Sequence, residues 1–135
     1  MKIKAISEQD IGEVRSLLTE AGWDPHSADL QHLDKLVLRS QVALVALSDE
    51  HRVVGFIRAL TDGMSNGYIS MLAVRKSHRR QGIGADLVRA CMGSQRDMTW
   101  VLRAGDPSLA EFYQKLGFVR SSAAMERPRK PKDSG

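Results

Sequence analysis

The sequence predicts an α/β fold of the α+β kind. Its centre is a mixed, mostly antiparallel sheet with one parallel β-α-β crossover and helices on both faces. Three observations predict it. "QVALVALS" and "RVVGFIRAL" are β-rich runs separated only by "DEH", the pattern of a hairpin. "YISMLAV", then the helical "GADLVRACMGS", then the strand-like "DMTWVLRA", read as a parallel crossover. Ahead of both, Ile11, Val14, Leu17 and Leu18 recur at helical spacing and need an apolar face to cover.

Taken in order, "KIKAI" alternates and predicts a strand over 2–6. Ser7 offers an N-cap, with Glu8 and Asp10 in the first turn, and a helix runs to Ala21 before Gly22 ends it. A second helix over 27–40 carries Leu30, Leu33, Leu36 and Val37 on one face. The hairpin follows, then the turn-rich loop "TDGMSNG". Strand 68–74 is largely apolar and so central. Helix 82–93 turns Ile83, Leu87, Val88 and Cys91 inward. Strand 97–104 comes next. In "DPSLAEFYQKLG", Asp106 is the N-cap, Pro107 the first helical residue and Gly117 the terminator. "FVRSSAAM" reads as a last strand.

With 135 residues, 42% hydrophobic and 27% charged, the chain suits one domain over residues 1–126. Residues 127–135 form a basic tail expected to be disordered. A single cysteine, Cys91, excludes an internal disulfide and fits a reducing cytoplasm. Its place in an apolar helical pattern marks a core thiol rather than a nucleophile. No apolar run reaches the roughly 20 residues of a membrane helix. The net charge of +4 favours an anionic ligand. Scarce aromatics and the lack of a basic helix argue against nucleic acid. No cluster of metal-ligand spacing stands out.

"RRQGIG", Arg79 to Gly84, sits between strand 68–74 and helix 82–93. As a bare pattern it is short and common, and a solvated basic turn would account for it. Its position adds physics. First-turn amides of a helix lack intrahelical acceptors and carry the positive end of the dipole, so an anion there is doubly favoured. Gly82 and Gly84 let a ligand approach the backbone and can adopt left-handed angles. Arg79 and Arg80 add charge. The Gly-Lys-Ser/Thr of a nucleotide P-loop is absent, and so is the third glycine of a dinucleotide fingerprint.

"LAVRKSHRRQGIGADLV", together with "LAEFYQKLGF" about thirty residues later and the element order over residues 1–126, resembles the GNAT superfamily of N-acetyltransferases. The resemblance implies the acyl-CoA N-acyltransferase fold, with a V-shaped cleft between strands 68–74 and 97–104. It implies acetyl-CoA as co-substrate. Leu72, Ala73 and Val74 would pair with the pantetheine arm, and an amide of Leu72 or Ala73 would polarise the thioester carbonyl. Arg79, Arg80, Gln81, Gly82, Ile83 and Gly84 would receive the pyrophosphate, with Arg80, Lys76 or His78 toward the 3′-phosphate. Tyr113 matches the tyrosine that contacts the cofactor and protonates the departing thiolate.

Two departures follow from the resemblance. Many members carry a glutamate where this chain has Ser70, so the general base is open; Asp62 is a candidate, though a turn residue is its plainer reading, and an ordered water would need no base residue. Pro107 stands where an asparagine is frequent. The acceptor, a primary amine of a small molecule or peptide, would be lined by Trp23, His26, Asp62, Tyr68, Ser70 and Arg103. A homodimer is compatible with the resemblance. The competing expectation is a regulatory module that binds acyl-CoA with little or no turnover.

Overall fold

The computed structural model describes residues 1–130. The chain divides into two compact units, Met1–Arg103 and Ala104–Gly135.

The first unit holds a five-stranded sheet in the order β1-β2-β3-β4-β5: β1 Lys2–Ala5, β2 Val42–Leu47, β3 Val53–Thr61, β4 Asn66–Val74 and β5 Thr99–Leu102. Pairing is antiparallel from β1 through β4 and parallel between β4 and β5. The mixed sheet and its parallel crossover are as the sequence predicts. Helix α1, Ile11–Glu20, and α3, Leu33–Leu38, lie on one face. There Leu17, Leu18, Leu33 and Phe56 are fully buried with Met71 and Ala73 beside them. Each such large side chain contributes about 1.5–3 kcal/mol of transfer free energy.

Helix α4, Ile83–Met92, covers the other face. A Cβ on Gly55 of β3 would sit 2.9 Å from Leu87 Cδ1 and 3.1 Å from Ile83 Cγ2, so glycine there lets α4 approach the strand. Ile83, Leu87, Val88 and Cys91 are all buried, which bears out the inward face read from their spacing.

Helix α1 is tied to the sheet by two acids one heptad apart. Glu13 accepts from the Val53 amide at 2.9 Å and from Arg52 Nε at 3.2 Å. Glu20 accepts from Arg75 Nη1 at 2.8 Å and from the Lys76 amide at 3.1 Å. The Glu13 contacts hold the chain where it enters β3 and the Glu20 contacts where it leaves β4.

Two expected elements differ. The second helix is broken at His32 (φ −112°, ψ 29°) into α2, Ala28–Gln31, and α3. Leu30 and Leu33 are buried on either side of the break, so packing tolerates it. In the second unit, α5 spans Pro107–Gln114 with Asp106 capping the Ser108 amide at 2.8 Å. The strand expected over 118–125 does not form. Ser121 Oγ accepts from the amides of Ala123 (3.1 Å) and Ala124 (2.9 Å), a local turn that competes with a ladder. Val119 and Met125 are 85% and 99% exposed, so no apolar face holds that segment extended. Residues 127–130 are exposed and without regular structure; the rest of the expected tail lies outside the described residues.

Candidate active site

The site begins where the sheet stops being complete. The β4–β5 ladder runs from Asn66↔Thr99 to Ile69↔Leu102, yet β4 continues through Ser70–Val74. Beyond Ile69 the outer edge of β4 has no strand beside it among the described residues.

Which backbone groups face that edge follows from the β3–β4 register. The Arg75 amide donates to the Val54 carbonyl at 2.8 Å, so that pair is hydrogen-bonded across the ladder. Antiparallel pairs alternate between hydrogen-bonded and non-hydrogen-bonded. Ala73↔Phe56 and Met71↔Arg58 therefore turn their amides and carbonyls toward β3. Leu72 and Val74 turn theirs outward. Of the two amides expected to meet a thioester carbonyl, Leu72 faces the open edge and Ala73 does not. Arg79 folds back over the strand end, its Nε donating to the outward Val74 carbonyl at 3.3 Å.

The alternation is reset by a bulge. Ala59 pairs with Ile69 and Arg58 with Met71, so Ser70 is an extra residue without a ladder partner. Its side chain is held by Arg58, whose Nη1 donates to Ser70 Oγ at 2.8 Å and whose Nε donates to Ser40 Oγ at 2.7 Å. Arg58 is 8% exposed, the one buried charged side chain among the described residues. Sequence reasoning missed it. The available signal was parity: in "FIRAL", Arg58 follows Phe56 by two and so shares its core face.

The loop "RRQGIG" enters α4 through left-handed backbone at Arg80 (φ 65°) and at Gly82 (φ 81°). Gly82 is the N-cap and contributes no side-chain cap, whereas Ser27 caps α2 and Asp106 caps α5 through side-chain oxygens. The first-turn amides of α4 are thereby left to an outside acceptor. A Cβ on Gly82 would meet open space. Gly84 departs from expectation: it is a regular residue of α4 without positive φ, so the left-handed turning belongs to Arg80 and Gly82. Ile83 is buried against the sheet; it brings its amide, not its side chain, to the loop. Arg79, Arg80, Gln81 and Lys76 are exposed, and the His78 ring pairs with Ser77 Oγ at 2.8 Å. A cavity of about 310 Å³ also touches His78, Gln81 and Ile83, but it carries Asp49 and Glu50, which disfavour a polyphosphate.

Each remaining expected residue has its own local setting. Asp62 closes the β3–β4 turn: Oδ1 accepts from the amides of Met64, Ser65 and Asn66 and Oδ2 from Ser65 Oγ. Those donors, the Ser65 amide foremost, hold its carboxyl well below the usual range. Asp62 is thus a turn-forming carboxylate and a poor base. Ser70 is a poor base as well, since the guanidinium occupies its oxygen. Trp23 packs against the core cluster, and His26 lies in an exposed loop where Asp24 accepts from its amide. Tyr68 is half-buried on β4, and Arg103 is exposed just past β5. The indole of Trp100 covers Gly67, where any side chain would collide with it. In the second unit, Tyr113 is 7% exposed and packs edge-on against Phe112 and Phe118, with centroids 5.0 and 5.5 Å away. Burial pushes its hydroxyl up to about 12.

Among the described residues no group of three or more His, Cys, Asp or Glu side chains could hold a metal ion, and no helix is long and apolar enough to cross a membrane.

An unpaired β4 edge and, beyond it in the chain, a helix N-terminus without a side-chain cap frame the site, and comparison with known proteins gives the chain a family. The acetyltransferase (GNAT) domain model matches residues 39–120, and the chain belongs to that family. A GNAT-family acetyltransferase from Streptococcus pneumoniae is similar at 26% identity and TM-score 0.79, covering 98% of this chain and 97% of its own. An aminoglycoside 6′-N-acetyltransferase from Acinetobacter haemolyticus shares the fold at 23% identity and TM-score 0.71, covering 96% and 99%. No curated protein matches the sequence.

Proposed function

We propose that this protein transfers the acetyl group of acetyl-CoA to a primary amine of a small molecule or peptide, by direct attack in a ternary complex. Family membership implies acetyl-CoA as the co-substrate. The observation that carries the reading is the outward Leu72 amide on an unpaired stretch of β4, ten residues ahead of the helix N-terminus at Gly82.

The pyrophosphate would lie on the amides of 80–84, with Arg79 and Arg80 adding charge. Leu72 and Val74 offer the pantetheine arm an edge to pair with. The amine nitrogen bonds to the thioester carbon, the carbonyl oxygen gains charge beside the Leu72 amide, and the carbon–sulfur bond then breaks. Tyr113 gives its proton to the departing thiolate; a hydroxyl titrating at about 12 is protonated throughout the working range. The amine's proton leaves through water, because neither Ser70 nor Asp62 is a competent base. Cys91 takes no part: it is buried on α4 and its thiol is pushed up to about 11.

The Ser70–Arg58 pair, standing where a carboxylate base is frequent in the family, favours the second reading of an acyl-CoA-binding module without turnover. One assay separates them. Purified protein is incubated with acetyl-CoA and aminoglycosides, polyamines, amino acids or peptides, and free thiol is followed. Release only when an acceptor is present supports transfer. Acetyl-CoA binding with no release across the panel supports the module.

A further inference from the structure

We propose that Ser70 and the row Leu60, Tyr68 and Val101 select the acceptor: an amine whose neighbouring carbon carries a carboxylate or carbonyl group and an apolar side chain, as in a free α-amino acid or a peptide N-terminus. This rests on the function proposed above and narrows it.

The Ser70 hydroxyl is an obligate donor. Its oxygen accepts from Arg58 Nη1 at 2.8 Å, and a guanidinium accepts nothing in return, so the Ser70 proton points elsewhere. Ser40, on the same guanidinium, has the complete arrangement: it accepts from Arg58 Nε at 2.7 Å and gives its own proton to the Leu36 carbonyl at 2.6 Å. Ser70 finds no such acceptor among the described residues and is only half-buried. It therefore offers a hydrogen bond to an oxygen brought from outside. The cation behind it polarises that O–H and favours an anionic oxygen over a second cation.

Beside Ser70 the sheet is uncovered. Phe56, Arg58 and Leu60 share the α1 face of β3 and pass from fully buried to 38% exposed, so the cover ends at Arg58. Leu60 pairs with Tyr68 and Tyr68 with Val101, which sets three side chains abreast across β3, β4 and β5. Val101 is 42% exposed and Tyr68 half-buried. Residues two apart on a strand lie about 7 Å from one another, and Ser70 stands between this row and Leu72. Leading away from the Leu72 amide, β4 thus presents a hydroxyl donor and then an apolar row. An α-amino acid unit carries its carboxyl and its side chain on the carbon next to the amine, and so meets both. A polyamine brings further positive charge beside Arg58 and no oxygen for Ser70.

The test is a calorimetric titration of the full chain, with coenzyme A in excess, by L-phenylalanine, L-phenylalanylglycine, 2-phenylethylamine, glycine and spermidine. The better of the two phenylalanine compounds, which tells a free amino acid from a peptide N-terminus, should bind about tenfold or more tighter than 2-phenylethylamine, which lacks the carboxyl, and than glycine, which lacks the side chain. Ser70→Ala should erase the advantage over 2-phenylethylamine and Ser70→Thr should keep it; Val101→Asp should erase the advantage over glycine. Thiol release from acetyl-CoA should follow the same order. Equal binding of the phenylalanine compounds and 2-phenylethylamine, or an advantage that persists in Ser70→Ala, overturns the proposal. Selective binding without thiol release upholds this acceptor class and overturns the transfer reading. Thiol release that prefers spermidine upholds transfer and overturns the acceptor class.

Discussion

Arg58 Nη1 donates to Ser70 Oγ across 2.8 Å, joining a buried cation on β3 to the one β4 residue that the ladder leaves out. A partly buried charge-assisted bond of this kind is worth about 1.5–3 kcal/mol. In a double-mutant cycle, Arg58→Met and Ser70→Ala should therefore couple by that order in urea unfolding. Arg58→Met should cost more than Ser70→Ala, since it also strips the bond to Ser40. Additive single effects would mean that the two side chains do not act as a pair.

Gly55 is read as a contact point rather than a turn. Gly55→Ala places a methyl within 2.9 Å of Leu87 Cδ1, and overpacking of that kind costs about 1–3 kcal/mol. The urea midpoint should fall by a corresponding amount with the slope unchanged.

Tyr113→Phe should lower kcat by about 10²-fold while leaving acetyl-CoA affinity close to that of the natural chain. The same substitution has a stability signature. Burial raises the hydroxyl from an ordinary value of 10.0 to about 12, so the folded state keeps a proton that the unfolded state gives up. Stability from this group is complete below about pH 10 and falls as pH rises toward 12. Tyr113→Phe should flatten that alkaline decline, as measured by unfolding at stepped pH.

Asp62 behaves oppositely. Its folded-state pKa lies below the unfolded value, so the folded chain binds fewer protons. Its contribution is present at neutral pH and fades as pH falls through the acid range. Asp62→Asn should destabilise the β3–β4 turn at neutral pH and less so in acid, without the bell-shaped loss of turnover expected of a missing base.

Much of this was legible in the sequence, and the boundary is physical. The order of strands and helices, the inward face of α4 and the caps of α5 are encoded in local periodicity and composition. "RRQGIG" was legible because its glycines and its position at a strand–helix junction are local too. The Ser70 bulge was not, because a bulge exists only between two strands and depends on which residues oppose each other. Arg58 was hidden for the same reason: its role lies in partners 12 and 18 residues away. "FVRSSAAM" misled because its apolar residues resemble a strand, whereas Ser121 bonds its own neighbours.

The central claim is that the helix start at Gly82 seats the donor. Its most direct test is a calorimetric titration of acetyl-CoA into the natural chain and into Gly82→Val. Gly82 has room for a side chain but a φ of 81°, which costs an L-residue roughly 1–2 kcal/mol and turns the loop amides away from a common point. The account predicts one-to-one binding by the natural chain and its loss in a variant that still unfolds cooperatively. Equal affinity in the two proteins would contradict it.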